Sequence, residues 1–161
     1  MVIMTNEQVI NEGKKLQTIN VLLVEDITAD ARLVSEYLKE SDNRYKFIIT
    51  HVDCVAKAVL EIMTNSFDVV LLDLALPDCI GLETFKKIKE QDAFLPIIIL
   101  SGTTSTLPKN DLLDCLNGAQ RYLLKRYTDS KNLVQAILDV ISKRDVLKKM
   151  SIEINKVENK N

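Results

Sequence analysis

Residues 68–78 read Asp68-Val-Val-Leu-Leu-Asp-Leu-Ala-Leu-Pro-Asp78. Positions 69–72 are apolar without alternation, and a carboxylate, Asp73, follows at once. A strand with one wet face alternates apolar and polar residues, whereas a strand covered on both faces is apolar throughout. Residues 68–73 therefore read as a buried strand of a parallel sheet, with an acid standing where the strand ends.

The same arrangement recurs along the chain. Asn20-Val-Leu-Leu-Val24 leads into Glu25 and Asp26, Leu95-Pro-Ile-Ile-Ile-Leu100 into Ser101, and Arg121-Tyr-Leu-Leu124 into Lys125. Candidate strands are 20–25, 45–51, 68–73, 95–101 and 121–124. Amphipathic stretches lie between them. Residues 28–40 place Ala31, Val34, Tyr37 and Leu38 on one face, and 54–64 do so with Val55, Ala58, Val59 and Ile62. Residues 82–90 use Leu82, Phe85 and Ile88, and 109–117 use Leu112, Leu113 and Leu116, with Asn117-Gly118 as a C-cap. A fifth helix begins near Asp129-Ser130, a fair N-cap, with Leu133, Ile137, Val140 and Ile141 facing inward.

Five β-α repeats predict an α/β fold, a doubly wound five-stranded parallel sheet with helices on both faces. Right-handed crossovers leave ligands to bind outside the carboxyl ends of the strands. Residues 1–18 read as an N-terminal extension, 19–145 as the domain, and 146–161 as a helical or disordered tail with Val146, Leu147 and Met150 on one side.

Composition narrows the function classes. The chain has 161 residues, 47% hydrophobic and 27% charged, enough for one well-buried core. A net charge of −2 gives no basic footprint, so no nucleic-acid partner is expected. No apolar run approaches a membrane span, and the start lacks the regions of a signal peptide, so no membrane partner is expected either. Cys54, Cys79 and Cys115 form no C-x-x-C pair and read as reduced thiols of a cytoplasmic protein. His51, the sole histidine, ends a strand-like run and reads as structural rather than as a phosphate donor.

In a parallel sheet Glu25, Asp26, Asp73, Ser101 and Lys125 emerge along one edge. Two carboxylates about 4 Å apart repel by roughly 4 kcal/mol at an effective dielectric of 20, so three of them call for a cation. Mg²⁺ suits an all-oxygen set of this kind. Asp73, at the end of an apolar run, is placed as a nucleophile able to form an acyl phosphate. Ser101, with Gly102 beside it, offers a hydroxyl to a phosphoryl oxygen, and Lys125 offers a compact positive charge. Taken singly, each has a plainer reading: a solvated helix start for Glu25 and Asp26, a backbone cap for Asp73, an ordinary turn for Ser101-Gly102.

As an ordered set the residues resemble the receiver domain of bacterial response regulators. The resemblance rests on Val24-Glu-Asp26, Leu71-Leu-Asp-Leu-Ala-Leu-Pro-Asp78 with Gly81 beyond, Ile98-Ile-Leu-Ser-Gly102 and Gly118-Ala-Gln-Arg-Tyr-Leu-Leu-Lys125. It implies the flavodoxin-like strand order 2-1-3-4-5. It implies that Asp73 accepts a phosphoryl group from a sensor kinase phosphohistidine or a histidine phosphotransfer protein. Mg²⁺ would be held by Glu25, Asp26, Asp73 and the backbone carbonyl of Ala75. Ser101, Gly102 and Lys125 would bind the phosphoryl group, and Tyr122 matches the family's aromatic switch residue. The chain would then be no enzyme beyond its own Mg²⁺-dependent phosphorylation and dephosphorylation. Its output would pass to a downstream protein through the face of the fourth helix, fifth strand and fifth helix, or to a homodimer.

The chain departs from the family pattern at Arg126, where proline usually follows the lysine, often after a cis peptide. A cis bond without proline costs about 3 kcal/mol, which leaves the path at Lys125 for the structure to decide. The stretch from Ser101 to Gly118 is about two residues longer than usual, and Ala75 and Thr103 flank the site. Three other readings stand beside the leading one: a relay intermediate or fragment of a larger regulator, a phosphate-independent docking module with a degenerate site, and a Mg²⁺-dependent phosphatase. The last commonly carries a second acid two residues after the nucleophile, where Ala75 stands here.

Overall fold

The computed structural model describes residues 16–41, 43–102 and 121–158. Five strands, β1 (Gln17–Val24), β2 (Tyr45–Val52), β3 (Val69–Leu72), β4 (Ile97–Ser101) and β5 (Arg121–Leu124), form one sheet in the order β2-β1-β3-β4-β5. Every pairing in it is parallel. The predicted α/β fold and its 2-1-3-4-5 order are therefore what the chain adopts. β1 starts three residues before the predicted residue 20, because Gln17 to Ile19 pair with Tyr45 to Phe47.

The helices are α1 (Thr28–Lys39), α2 (Val55–Thr64), α3 (Leu82–Lys89) and α4 (Ser130–Glu158). The helix predicted over 109–117, its C-cap at Asn117-Gly118, Cys115, Thr103 and the long stretch around Leu107-Pro108 lie outside the described residues. Cys54 and Cys79 are free thiols. Among the described residues no helix is long and apolar enough to cross a membrane.

Strand alternation sorts the core into two halves. Leu22, Val24, Val70, Leu72, Ile97 and Ile99 face α2 and α3, packing on Val55, Ala58, Phe85 and Ile88. Their neighbours Val21, Leu23, Val69, Leu71, Ile98 and Leu100 face α1 and α4, packing on Ala31, Val34, Leu38, Leu133, Ile137 and Val140. Both faces are apolar because both are covered. Each buried Leu, Ile or Val contributes roughly 1.5–3 kcal/mol, and that is what fixes the register that brings the strand ends level.

Local contacts set the ends of the elements. Asp129 and Asn132 cap α4 reciprocally: the Asn132 amide donates to Asp129 Oδ1 at 2.8 Å, and the Asp129 amide to Asn132 Oδ1 at 2.9 Å. Ser130 Oγ donates to the Tyr37 carbonyl at 2.6 Å and ties α4 to α1. Between β3 and α3 a short antiparallel hairpin pairs Ala75 with Ile80 and Leu76 with Cys79. Gly81 then turns the chain into α3 with φ 71°, a conformation an L side chain resists.

α4 is a single helix of 29 residues, about 43 Å long. Its first half packs on the sheet. At the amino edge Arg144 Nη1 donates to the Asp68 carbonyl at 3.1 Å and approaches Asp68 Oδ1 at 3.3 Å. Beyond that clamp the helix continues with Val146, Leu147, Met150, Ile154 and Val157 exposed.

Candidate functional site

The strand ends meet as the sequence predicts. The backbone ladder runs one step past the strands, with the Glu25 amide donating to the Val52 carbonyl and the Asp73 amide to the Val24 carbonyl, each at 3.0 Å. These bonds fix both acids at the carboxyl edge of adjacent strands. Glu25 is 1% exposed and Asp73 7%, whereas Asp26 points to solvent. One carboxylate oxygen from each of the three lies within 4.8 Å of the others.

Each buried acid is fully engaged. Glu25 Oε1 accepts from the Ile27 amide at 3.1 Å, and Asp73 Oδ1 from the Ala75 amide at 2.9 Å. Their second oxygens both meet Lys125 Nζ, at 2.5 Å for Glu25 Oε2 and 2.7 Å for Asp73 Oδ2. A fourth carboxylate joins them, Asp30 on the first turn of α1, whose Oδ2 is 2.9 Å from Lys125 Nζ. The cation demanded by the clustered acids is thus, in this state, the ammonium of Lys125. Its three N–H groups face three carboxylates.

The charges respond to this packing. Burial alone would depress the Lys125 ammonium, but its hydrogen bonds to Asp73, Glu25 and Asp30 outweigh that and hold it well above its ordinary value. Glu25 moves upward, because burial and the neighbouring Asp73 outweigh what the Lys125 and Ile27 hydrogen bonds lower.

Lys125 reaches the pocket without the proline that the resemblance leads one to expect. No cis peptide occurs among the described residues. The chain instead closes a 3₁₀ turn over Lys125–Tyr127, with the Thr128 amide donating to the Lys125 carbonyl and Thr128 Oγ1 to the Leu124 carbonyl. The Arg126 guanidinium lies over the Tyr127 ring, 4.8 Å from its centroid.

Ser101 ends β4 as a buried residue paired in register with Leu124, one residue before Lys125. A Cβ built on Gly102 would meet nothing within 4 Å, so packing within the described residues does not demand glycine there. Tyr122 pairs with Ile99 and is half-buried, packed against the core on the α2–α3 side.

The donor set suits a divalent cation that prefers oxygen: three carboxylates, no sulfur and no imbalance toward nitrogen. A spread of 4.8 Å between ligand oxygens needs only a small contraction to surround an ion with bonds near 2.1 Å.

Residues 21–138 match the family described as the response regulator receiver domain. The chain belongs to that family.

As a receiver domain it is 32% identical over 108 residues to the KDP operon transcriptional regulatory protein KdpE of Escherichia coli (strain K12), covering 67% of this chain and 45% of that protein. It is 28% identical over 158 residues to the two-component response regulator ARR5 of Arabidopsis thaliana, covering 86% of this chain and 82% of that protein. Among solved structures, the receiver domain of the sensor histidine kinase PA1611 from Pseudomonas aeruginosa PAO1, with a magnesium ion coordinated in its active-site cleft, superposes with a TM-score of 0.64 at 25% identity, covering 78% of this chain and 98% of that one. A CheY-like receiver domain protein from Methanospirillum hungatei JF-1 shares the fold, with a TM-score of 0.65 at 22% identity over 81% of this chain and 98% of that one. The chain spans about half the length of KdpE, so what the rest of such relatives does is not represented in these residues.

Three polar contacts of this receiver escaped the sequence. Asp30, an acid in the first turn of α1, meets Lys125 Nζ at 2.9 Å. His51 Nε2 donates to the Glu25 carbonyl at 2.7 Å, bracing the Glu25-Asp26 turn from β2. Asp78 accepts from the Val55 amide through Oδ1 and the Ala56 amide through Oδ2, each at 3.0 Å, so it caps α2 from 23 residues downstream. The available signal for Asp78 was an unprotected α2 start, since Cys54 is a poor N-cap.

Proposed function

We propose that this receiver domain is a phosphoacceptor switch in which Asp73 takes a phosphoryl group from the phosphohistidine of a sensor kinase or a histidine phosphotransfer protein. The observation that supports it best is the placement of Asp73, buried at the end of β3, with one oxygen on the Ala75 amide and the other on a lysine ammonium. In the proposed step Asp73 Oδ2 attacks phosphorus in line. The P–O bond forms as the P–N bond to the donor imidazole breaks, and the electron pair stays on the imidazole nitrogen. Such a transfer needs positioning and charge neutralisation more than covalent help from the protein.

Glu25, Asp26, Asp73 and the Ala75 carbonyl would hold Mg²⁺, which when bound supplies positive charge to the phosphoryl oxygens. Lys125 and Ser101 would bind the remaining phosphoryl oxygens, with Gly102 leaving open space at the edge. Tyr122 would then repack as Ser101 shifts, altering the face formed by β5 and α4 together with the helix expected at 109–117. That face is the proposed surface for a downstream protein or for a second copy. The proposed domain spans 19–145, with 1–18 and 146–161 as appendages, and its setting is cytoplasmic. Ala75 carries no acid for a phosphatase's second proton transfer, which favours a switch over a hydrolase of small phosphate esters.

Intact mass after incubation with Mg²⁺ and acetyl phosphate tests this reading, with a chelator and Asp73→Asn as controls. One added phosphoryl group, absent in both controls, is the expected outcome. No adduct, together with no Mg²⁺-dependent binding of beryllium fluoride, would overturn it in favour of a docking module.

A further inference from the structure

The Lys125 ammonium has three carboxylate partners, but only two of them belong to the group that surrounds the candidate metal position. Glu25 and Asp73 do, and Asp30 does not. The oxygens of Glu25 and Asp73 that Lys125 holds are their only ones not engaged by a backbone amide. A divalent cation and the lysine therefore draw on the same two carboxylates, and the positive charge of each opposes the other there. Whatever draws the lysine off them favours the metal.

Asp30 is placed to do this. It sits on the first turn of α1, outside the group that surrounds the candidate metal position, and is about a third exposed. Leu33, Val34, Tyr37, Leu100 and Thr128 wall a small cavity around Asp30 and the lysine, so the stem lies against apolar surface whichever acid the ammonium faces.

We propose that Asp30 is a positioning residue that retains Lys125 when a metal takes over Glu25 and Asp73, and thereby sets how tightly the site binds Mg²⁺. The inference rests on the reading of Glu25, Asp26 and Asp73 as a metal site. With Asp30 present, one N–H stays anchored and two are free to turn toward a phosphoryl group. Without it, the ammonium remains committed to the two carboxylates the metal needs.

A double-mutant cycle on Mg²⁺ affinity tests this, read by titration of the full chain and followed by amide chemical shifts. The variants are Asp30→Asn, Lys125→Met and the two combined, with Lys125→Gln in reserve should Lys125→Met fail to fold. The expected result is that Asp30→Asn weakens Mg²⁺ binding roughly five- to tenfold, part of what one charge-assisted hydrogen bond supplies, because the asparagine amide oxygen can still accept from the lysine. In the Lys125→Met background the same change should alter affinity less than about twofold, because there is no lysine left to compete. An equal loss in both backgrounds would make Asp30 a plain long-range charge and overturn the proposal. Unchanged affinity in Asp30→Asn would also overturn it. Failure of the wild-type chain to bind Mg²⁺ at all would instead overturn the metal site beneath it.

Discussion

Lys125 Nζ lies 2.7 Å from Asp73 Oδ2, so the end of β5 is joined to the end of β3 across β4. The pair is nearly sequestered, with side-chain exposures of 16% and 8%, and Glu25 adds a second buried anion. Removing one partner of such a group leaves charge uncompensated in a poorly solvated place. We expect Lys125→Met to lower metal-free stability by about 2–4 kcal/mol, measured by urea unfolding in a chelator. Millimolar Mg²⁺ should recover more stability in the variant than in the wild type. A loss below about 0.5 kcal/mol, the scale of a surface change, would mean the pair is far better hydrated than its burial indicates.

The same lysine gives an alkaline signature. Its folded-state pKa lies above the ordinary 10.5, so the folded chain binds the proton more tightly than the unfolded chain. The stability it contributes is fully present below pH 10.5 and is lost as the pH rises from there through the folded value. Wild-type stability should therefore fall more steeply above that pH than the stability of Lys125→Met, compared by chemical unfolding in metal-free buffer. Parallel curves for the two proteins would contradict the assignment.

The sheet and most of its edge were legible because their signals are local. Val69 to Leu72 and Ile97 to Leu100 are apolar on both faces, and the polar residue that ends each run marks the carboxyl edge. What stayed hidden depends on residues brought together by the fold. Asp30 and Lys125 are 95 positions apart, and nothing near Asp30 marks it as more than a helix-start acid. The clustered acids called for a cation such as Mg²⁺, but sequence spacing could not say that an internal ammonium, that of Lys125, faces two of them. The tail's Val146, Leu147 and Met150 did mark a helical stripe, but sequence alone left helix and disorder both open there, because a helix that has left its domain has no core to pack against.

Asp78 closes the exposed amides at the start of α2 and so ties the hairpin after Asp73 to that helix. Burial tends to raise its carboxyl, but the Val55 and Ala56 amides outweigh this and lower it. Its contribution is present above the ordinary 3.8 and fades as the pH falls below it. Asp78→Ala should cost about 1 kcal/mol, in the range of a lost N-cap. Amide exchange at Val55 and Ala56 should quicken ahead of the rest of α2. Unaltered exchange at those two amides would count against a capping role.

Past Arg144, α4 has left the sheet, and Val146, Leu147, Met150, Ile154 and Val157 are each more than half exposed. Side chains that gain no burial contribute little to holding the domain together. Deleting residues 146–158 should therefore leave unfolding free energy within about 0.5 kcal/mol of the intact chain, while the helical far-UV signal falls. The Arg144–Asp68 clamp remains in the shortened chain and should keep the first half of α4 seated. A loss above about 1.5 kcal/mol, beyond what an exposed segment supplies, would show that these apolar residues are covered in solution, and dependence of that loss on protein concentration would identify a second copy as the cover.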